Sequence, residues 1–159
     1  MDPSLIEACT GGNIGDIRSL VEKGVKVDRS LIIASHKHIE TMKFLLDNGV
    51  NIEEKDIRGD TLLIHASWSG RYEMLRVLIE KGANIEAKDS YGNTPLINAS
   101  MTRSYQNMYF LLENGADIKV RNNNGNTFTS FLDHDQKRKV EEFMKDIEER
   151  KKLIKPSLQ

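Results

Sequence analysis

Cysteine, proline, aromatic residues and long apolar runs are all scarce in this sequence. Its 159 residues include a single cysteine, Cys9, which excludes a disulfide within the chain. No apolar run approaches the roughly 18 residues that a membrane-spanning helix needs. The opening residues Met1-Asp2-Pro3 do not resemble a secretory signal. We therefore expect a soluble protein without membrane association. It would act in the cytoplasm, or in a host cytoplasm as a bacterial or viral effector.

Charges are numerous but nearly balanced. Charged residues make up 30% of the chain, yet the formal net charge is −1, which argues against binding polyanions by bulk electrostatics. Two basic runs lie near the C-terminus, at 137–139 and 150–152, among acids spaced for i,i+4 ion pairs on a helix. We interpret this segment as a solvated helix. The alternatives are a docking helix or a nucleic-acid contact, although nucleic acid is not the partner that we expect.

Residues that could carry catalysis or bind a metal do not form a recognisable motif. His36, His38 and Cys9 lack the spacing of a closed zinc site. Gly11-Gly12 joins two predicted helices, whereas a phosphate-binding loop joins a strand to a helix. We therefore expect no enzymatic activity, no cofactor and no bound metal.

The chain instead repeats itself with a period of 33 residues. Gly59 and Thr61 recur as Gly92 and Thr94, and again as Gly125 and Thr127. Apolar columns keep register across four units, and one such column is Leu20, Leu45, Leu78 and Leu111. The units end in Gly24, Gly49, Gly82 and Gly115, which are suited to the left-handed C-cap of a helix.

The segments GDTLLIHAS (59–67), GNTPLINAS (92–100), EKGANIEAKD (80–89) and ENGADIKVRN (113–122) resemble the ankyrin repeat family. The resemblance extends over about 5–144. It implies an all-α solenoid of helix-turn-helix units with β-turn or hairpin fingers. We expect one domain over 1–159, monomeric on its own, with atypical end caps. Its five units would cover about 3–24, 25–49, 50–82, 83–115 and 116–155, followed by a tail at 156–159.

Helix starts can be predicted from the same pattern. Thr61 and Thr94 are placed to cap the first helices of two units, with Pro95 at the first helical position. Unit two is shortened and lacks a finger, and Ser30 is the predicted cap of its first helix. The family pattern gives His65 a structural role, in which its ring bonds backbone groups across neighbouring turns.

The resemblance implies that a partner binds at the finger tips and the outward side of the first helices, which together form a concave face. The matching finger positions are Ile57, Arg58, Asp60, Ser90, Tyr91, Asn93, Asn123, Asn124 and Asn126. The positions that follow the small-residue pair are His36, Lys37, Trp68, Ser69, Met101 and Thr102, with His134 as a weaker match.

Trp68 is the strongest single candidate among these residues. It is the only tryptophan, and tryptophan, tyrosine and arginine often dominate interface energies. Under this hypothesis its ring is exposed and lies near Tyr91. The alternative is that Trp68 folds down to fill the gap left by the shortened second unit.

Together these features predict a non-enzymatic scaffold that recruits or blocks a protein partner through the concave face. The alternative is a regulatory or assembly subunit, or a host-directed effector, that sequesters an enzyme.

Overall fold

The computed structural model describes residues 3–154, and the predicted tail at 156–159 lies outside them. The described residues form nine α-helices and one 3-10 helix, and no strand is found among them. The helices are α1 Pro3–Gly11, α2 Ile14–Glu22, α3 Arg29–Ala34, α4 Ile39–Asp47, α5 Leu62–Trp68, α6 Tyr72–Glu80, α7 Pro95–Met101, α8 Tyr105–Glu113, the 3-10 helix Phe128–Phe131 and α9 His134–Ile154.

These helices stack in two rows. In the inner row α1, α3, α5, α7 and the 3-10 helix pack side by side. The outer row consists of α2, α4, α6, α8 and α9. Apolar side chains between the rows are fully buried, among them Leu45, Leu75, Leu78 and Leu111. The expected all-α stack of helix pairs is therefore confirmed.

Local capping chemistry sets where the central helices begin. The Thr61 hydroxyl accepts a hydrogen bond from the Ile64 N–H at 3.3 Å. Thr94 caps α7 in the same way, and Pro95 is the first residue of that helix. Each side-chain acceptor satisfies a backbone donor that has no partner within the helix. Both predicted caps are confirmed.

Helix α3 begins earlier than predicted. The Asp28 carboxylate accepts from the Ser30 backbone N–H at 2.8 Å, and the Ser30 hydroxyl also donates to it at 2.7 Å. The prediction that Ser30 caps this helix is therefore wrong. An aspartate two residues upstream takes the capping role, which makes Arg29 the first helical residue.

The last unit closes the stack with larger side chains. Its inner element is a single 3-10 turn, in which Phe128 is buried. Val140 and Ile147 on α9 are also buried. Farther along α9, an Arg150 Nη1 to Glu113 distance of 3.8 Å marks an ion pair with α8. The large residues cover an end that has no further unit to pack against.

Candidate functional site

Three turns with one internal design precede the last three inner elements. We call them fingers one (56–60), two (89–93) and three (122–126). In finger one, the Asp56 carboxylate accepts from the N–H groups of Arg58 and Asp60 at 2.8 and 3.0 Å. Asp89 does the same in finger two, and the Asn122 side-chain oxygen does so in finger three. Each tip is therefore fixed by its own first side chain.

The fingers are also joined to one another. The Ser90 N–H and hydroxyl both donate to the Arg58 carbonyl, at 3.3 and 2.8 Å. The Asn123 N–H donates to the Tyr91 carbonyl at 3.0 Å, and its amide donates to the Ser90 carbonyl at 3.2 Å. Because each tip is bonded to the next, the fingers form one ordered row.

Arg29 anchors finger one, which has no finger before it because unit two is shortened. The buried guanidinium donates through Nη1 to the Asp60 carbonyl at 2.7 Å and to the Glu54 carbonyl at 2.9 Å. Its Nη2 lies 3.7 Å from the Asp56 carboxylate. A side chain thus replaces the contact that a preceding finger would make. The repeat pattern does not indicate this role, although an arginine in the shortened turn is visible in the sequence.

Trp68 is half-buried at the end of α5. The Arg58 guanidinium carbon lies 5.2 Å from its ring centroid, and the His65 ring meets it edge-on at 4.8 Å. The indole Nε1 is buried without a hydrogen bond of normal geometry. The indole N–H nevertheless lies close enough to the Asp60 carboxyl to favour the ionised carboxylate, which opposes the rise in the Asp60 pKa. Trp68 is therefore the support on which Arg58 lies, and not a freely exposed anchor.

Two carboxylates balance the two arginines around Trp68. Burial raises the pKa of Asp60, and the neighbouring Asp56 charge raises it further, against the opposing effect of Arg58. For Asp56, burial is outweighed by the N–H groups of Asp60 and Arg58 and by the charge of Arg29, so its pKa is lowered. Arg58 Nη2 lies 3.0 Å from Asp60 Oδ2. The orientation of Arg58 is therefore fixed before any partner binds.

His65 is held in its neutral form. Burial, followed by the charge of Arg71, lowers its pKa from 6.5 to about 4. Arg71 Nη1 lies 3.3 Å from the His65 Nε2, which as a neutral nitrogen can accept, and also donates to the Ile33 carbonyl at 3.4 Å. The expected bonds from the histidine ring to backbone groups are replaced, in the described part of the chain, by this arginine link to α3.

Lowering the pH from 7.5 to 4.5 is expected to destabilise the wild type more than His65→Asn, by on the order of 2 kcal/mol. The unfolded histidine binds a proton below about pH 6.5, whereas the folded one resists until about pH 4. The contribution of neutral His65 to the free energy of unfolding is therefore fully present above about pH 6.5 and is lost as the pH falls toward about 4. Urea unfolding at both pH values measures the difference. His134→Asn, at an exposed position, is the control, and an equal acid loss in wild type and His65→Asn would contradict the assignment.

Three large apolar side chains lie exposed along the fingers and the end of α7. The exposed fraction is 104% for Ile57, 69% for Tyr91 and 47% for Met101. Trp68 and Met101 end the neighbouring helices α5 and α7, which pack together. We call the surface formed by the finger tips and these helix ends the finger–helix face.

Two residues predicted to contact a partner are buried instead. Asp60 is 6% exposed and Asn93 is 5% exposed. The Asn93 side-chain oxygen accepts from the Asn122 amide at 2.8 Å, and its own amide donates to Asp89 at 3.0 Å. Asn93 therefore joins fingers two and three, whereas Asp60 pairs with Arg58 of its own finger. Neither side chain is exposed to a partner at the surface.

The other predicted positions divide between the surface and the frame. Lys37, Thr102, Asn124 and His134 are exposed, while Asn126 and His36 are half-buried. The Ser69 hydroxyl donates to the His65 carbonyl at 2.6 Å, and Thr102 donates to the Asn98 carbonyl at 3.1 Å. Because these hydroxyls already donate to carbonyls of their own helices, they contribute to the shape of the surface and do not offer a free donor to a partner.

Cys9 lies buried in α1. Burial raises the pKa of the Cys9 thiol to about 11, which keeps it protonated. Within residues 3–154 no three histidine, cysteine, aspartate or glutamate side chains are grouped as metal ligands would be. No helix within that same range is both long enough and apolar enough to span a bilayer.

Helix pairs stacked in two rows, with a bonded row of fingers, define a solenoid in which each unit packs on its neighbours. A family model for ankyrin repeats, in three copies, matches residues 31–122. The chain therefore belongs to the ankyrin repeat family, whose members are generally protein–protein interaction modules. Comparison with curated protein sequences gives no match. The family match runs from α3 to the start of finger three, which includes Trp68, Tyr91 and Met101.

Proposed function

We propose that this chain is a non-enzymatic scaffold that recruits or blocks a protein partner through the finger–helix face. The observation that carries the proposal is the exposure of Ile57, Tyr91 and Met101 on an ordered row of fingers and helix ends. In this proposal the three side chains form one apolar patch, and contiguous apolar patches usually mark a surface that another molecule covers. In this proposal the protein acts as a monomer in the cytoplasm.

Pre-ordering of the face supports this function. Finger one is held by Arg29, and finger two is bonded to finger one through Ser90. Little backbone entropy is lost when a partner binds groups that are already fixed. The aromatic ring of Tyr91 adds contact area with few rotatable bonds, which favours a dominant role in the interface.

A capture experiment tests the proposal. The immobilised wild-type chain is used to capture partners from a cytoplasmic lysate, and the affinity of each captured protein is measured by calorimetry. The double variant Ile57→Ala/Tyr91→Ala is expected to bind at least about tenfold more weakly, because two interface anchors are truncated. Both side chains point into solvent, so circular dichroism should show an unchanged fold.

Another pair of exposed apolar residues provides the matched control. Ile6 on α1 is 36% exposed and Leu153 on α9 is 77% exposed. Ile6→Ala/Leu153→Ala should bind every captured partner as tightly as the wild type. If the control variant lost the partner while the finger variant kept it, the binding surface would lie at the ends of the stack and the proposal would be wrong.

A further inference from the structure

The finger–helix face carries exposed positive charge. Arg58 belongs to finger one and Arg103 follows α7, while Lys37 lies beside the face, after the neighbouring helix α3, and all three are exposed. Helices α3, α5 and α7 of the inner row contain no acidic residue. The face therefore combines apolar side chains with cations, and its carboxylates Asp56, Asp60 and Asp89 all belong to the fingers.

The finger carboxylates Asp56 and Asp89 accept hydrogen bonds from N–H groups of their own fingers. Asp60 is buried and paired with Arg58, as described above. Glu73 lines the same open cleft as Lys37, but its carboxylate pairs with Arg76 at 3.0 Å. Within the described residues, neither Lys37 nor Arg103 belongs to an ion pair. Their charges are available to a partner.

Arg103 occupies a turn position at which two other units of the stack have glycine. Its φ of +57° is the only positive value for a non-glycine residue in the described range. The corresponding turns after α1 and α5 have Gly12 and Gly70, with φ of +70° and +68°. A left-handed arginine costs about 1 kcal/mol in backbone strain. The turn after α7 therefore has a strained backbone at Arg103, and it places an exposed cation two residues after Met101.

We infer that the finger–helix face binds an acidic segment of the partner. The inference rests on the proposed function and specifies its ligand. Carboxylates of that segment face Lys37, Arg58 and Arg103, while its apolar side chains cover Tyr91 and Met101. Complementary charge steers the encounter and rejects basic segments, while the apolar contacts supply most of the affinity.

Arg58 is the best-prepared of the three cations. Its guanidinium lies over Trp68 and is fixed on one side by Asp60 at 3.0 Å. A planar donor group held in this way presents its remaining N–H bonds to a carboxylate without first losing rotamer freedom. We expect Arg58 to contribute more than Lys37, whose side chain has no ion-pair partner to order it.

Selection from a random peptide library displayed on phage tests the inference even while the partner is unidentified. Peptides enriched on the wild-type chain should contain more aspartate and glutamate than the unselected library, next to aromatic or aliphatic residues. Their affinity should fall at least about fivefold when Lys37, Arg58 and Arg103 are all changed to glutamine. It should also fall when the salt concentration rises from about 50 to about 500 mM.

A second triple variant controls for net charge. Lys137→Gln/Lys145→Gln/Lys152→Gln removes the same charge from α9, outside the finger–helix face, and should leave peptide affinity unchanged. Loss of affinity in the Ile57→Ala/Tyr91→Ala variant then assigns each enriched peptide to the face.

The outcomes separate this inference from the function on which it rests. Neutral or basic peptides that still require Ile57 and Tyr91 would overturn the acidic ligand but leave the scaffold function intact. Peptides that bind regardless of Ile57 and Tyr91, or no enrichment, would contradict both. Tighter binding of a labelled single-stranded DNA oligonucleotide at the same face would replace the acidic peptide with a nucleic acid, since aromatic side chains and arginines also bind unpaired bases.

Discussion

Replacing Arg29 with methionine is expected to lower the free energy of unfolding by about 3 kcal/mol. The variant keeps most of the apolar stem but removes the buried guanidinium. The Glu54 carbonyl then loses its hydrogen-bond donor, the Asp60 carbonyl keeps only the Asp56 N–H, and the Asp56 carboxylate loses a nearby positive charge. Urea denaturation of the wild type and the variant measures the change. Finger one should also lose its anchor, so the affinity for a captured partner should fall together with stability.

Arg76→Met provides the matched control for the Arg29 variant. Arg76 also forms two ion pairs, with Glu73 and Glu80, but these lie at the surface of α6. Surface pairs contribute little, since water solvates the separated charges nearly as well. A stability loss in Arg29→Met no greater than in Arg76→Met would show that Arg29 does not anchor the finger.

Gly92→Ala is expected to cost about 3 kcal/mol, whereas Gly125→Ala should cost about 1 kcal/mol. The two glycines have nearly the same backbone, with φ of +74° and +77°. A Cβ atom on Gly92 would lie 2.4 Å from the Asn123 side-chain oxygen and 3.0 Å from its backbone nitrogen. A Cβ atom on Gly125 meets nothing within 4 Å.

The difference between these two variants measures how tightly fingers two and three are stacked. Both variants place alanine in a left-handed conformation, so the backbone term cancels in the comparison. Thermal and urea unfolding of the pair should therefore differ by the contact with Asn123 alone. Equal losses would mean that the fingers can separate at little cost, which would contradict the ordered row described above.

The repeat and the helix boundaries could be predicted because they depend on local chemistry. Thr61 and Thr94 cap through an oxygen and a backbone N–H only three residues apart. Gly115 supplies the left-handed conformation that ends α8, with φ of +86°. Such features do not depend on distant residues. The exception, Asp28 in place of Ser30, arises because two neighbouring side chains were both suitable caps.

The candidate site was harder to predict because it depends on which way each side chain turns. Repeat alignment places Asp60 and Asn93 in the fingers, but not whether they face solvent or the next finger. Trp68 depends on Arg58, ten residues before it, and the role of Arg29 depends on carbonyls at Glu54 and Asp60. These contacts join parts of the chain that sequence spacing alone does not relate.

Photo-crosslinking at position 91 tests whether a partner binds the finger–helix face. Tyr91 is replaced by benzoylphenylalanine, a larger photoreactive aromatic residue, and the protein is irradiated in lysate. A second protein, which carries the same residue in place of Leu153, is irradiated in parallel. Both positions are well exposed, at 69% and 77%. Binding through the finger–helix face predicts a covalent partner adduct from position 91 and none from position 153. An adduct from position 153 alone would place recognition on α9 and contradict binding through the finger–helix face.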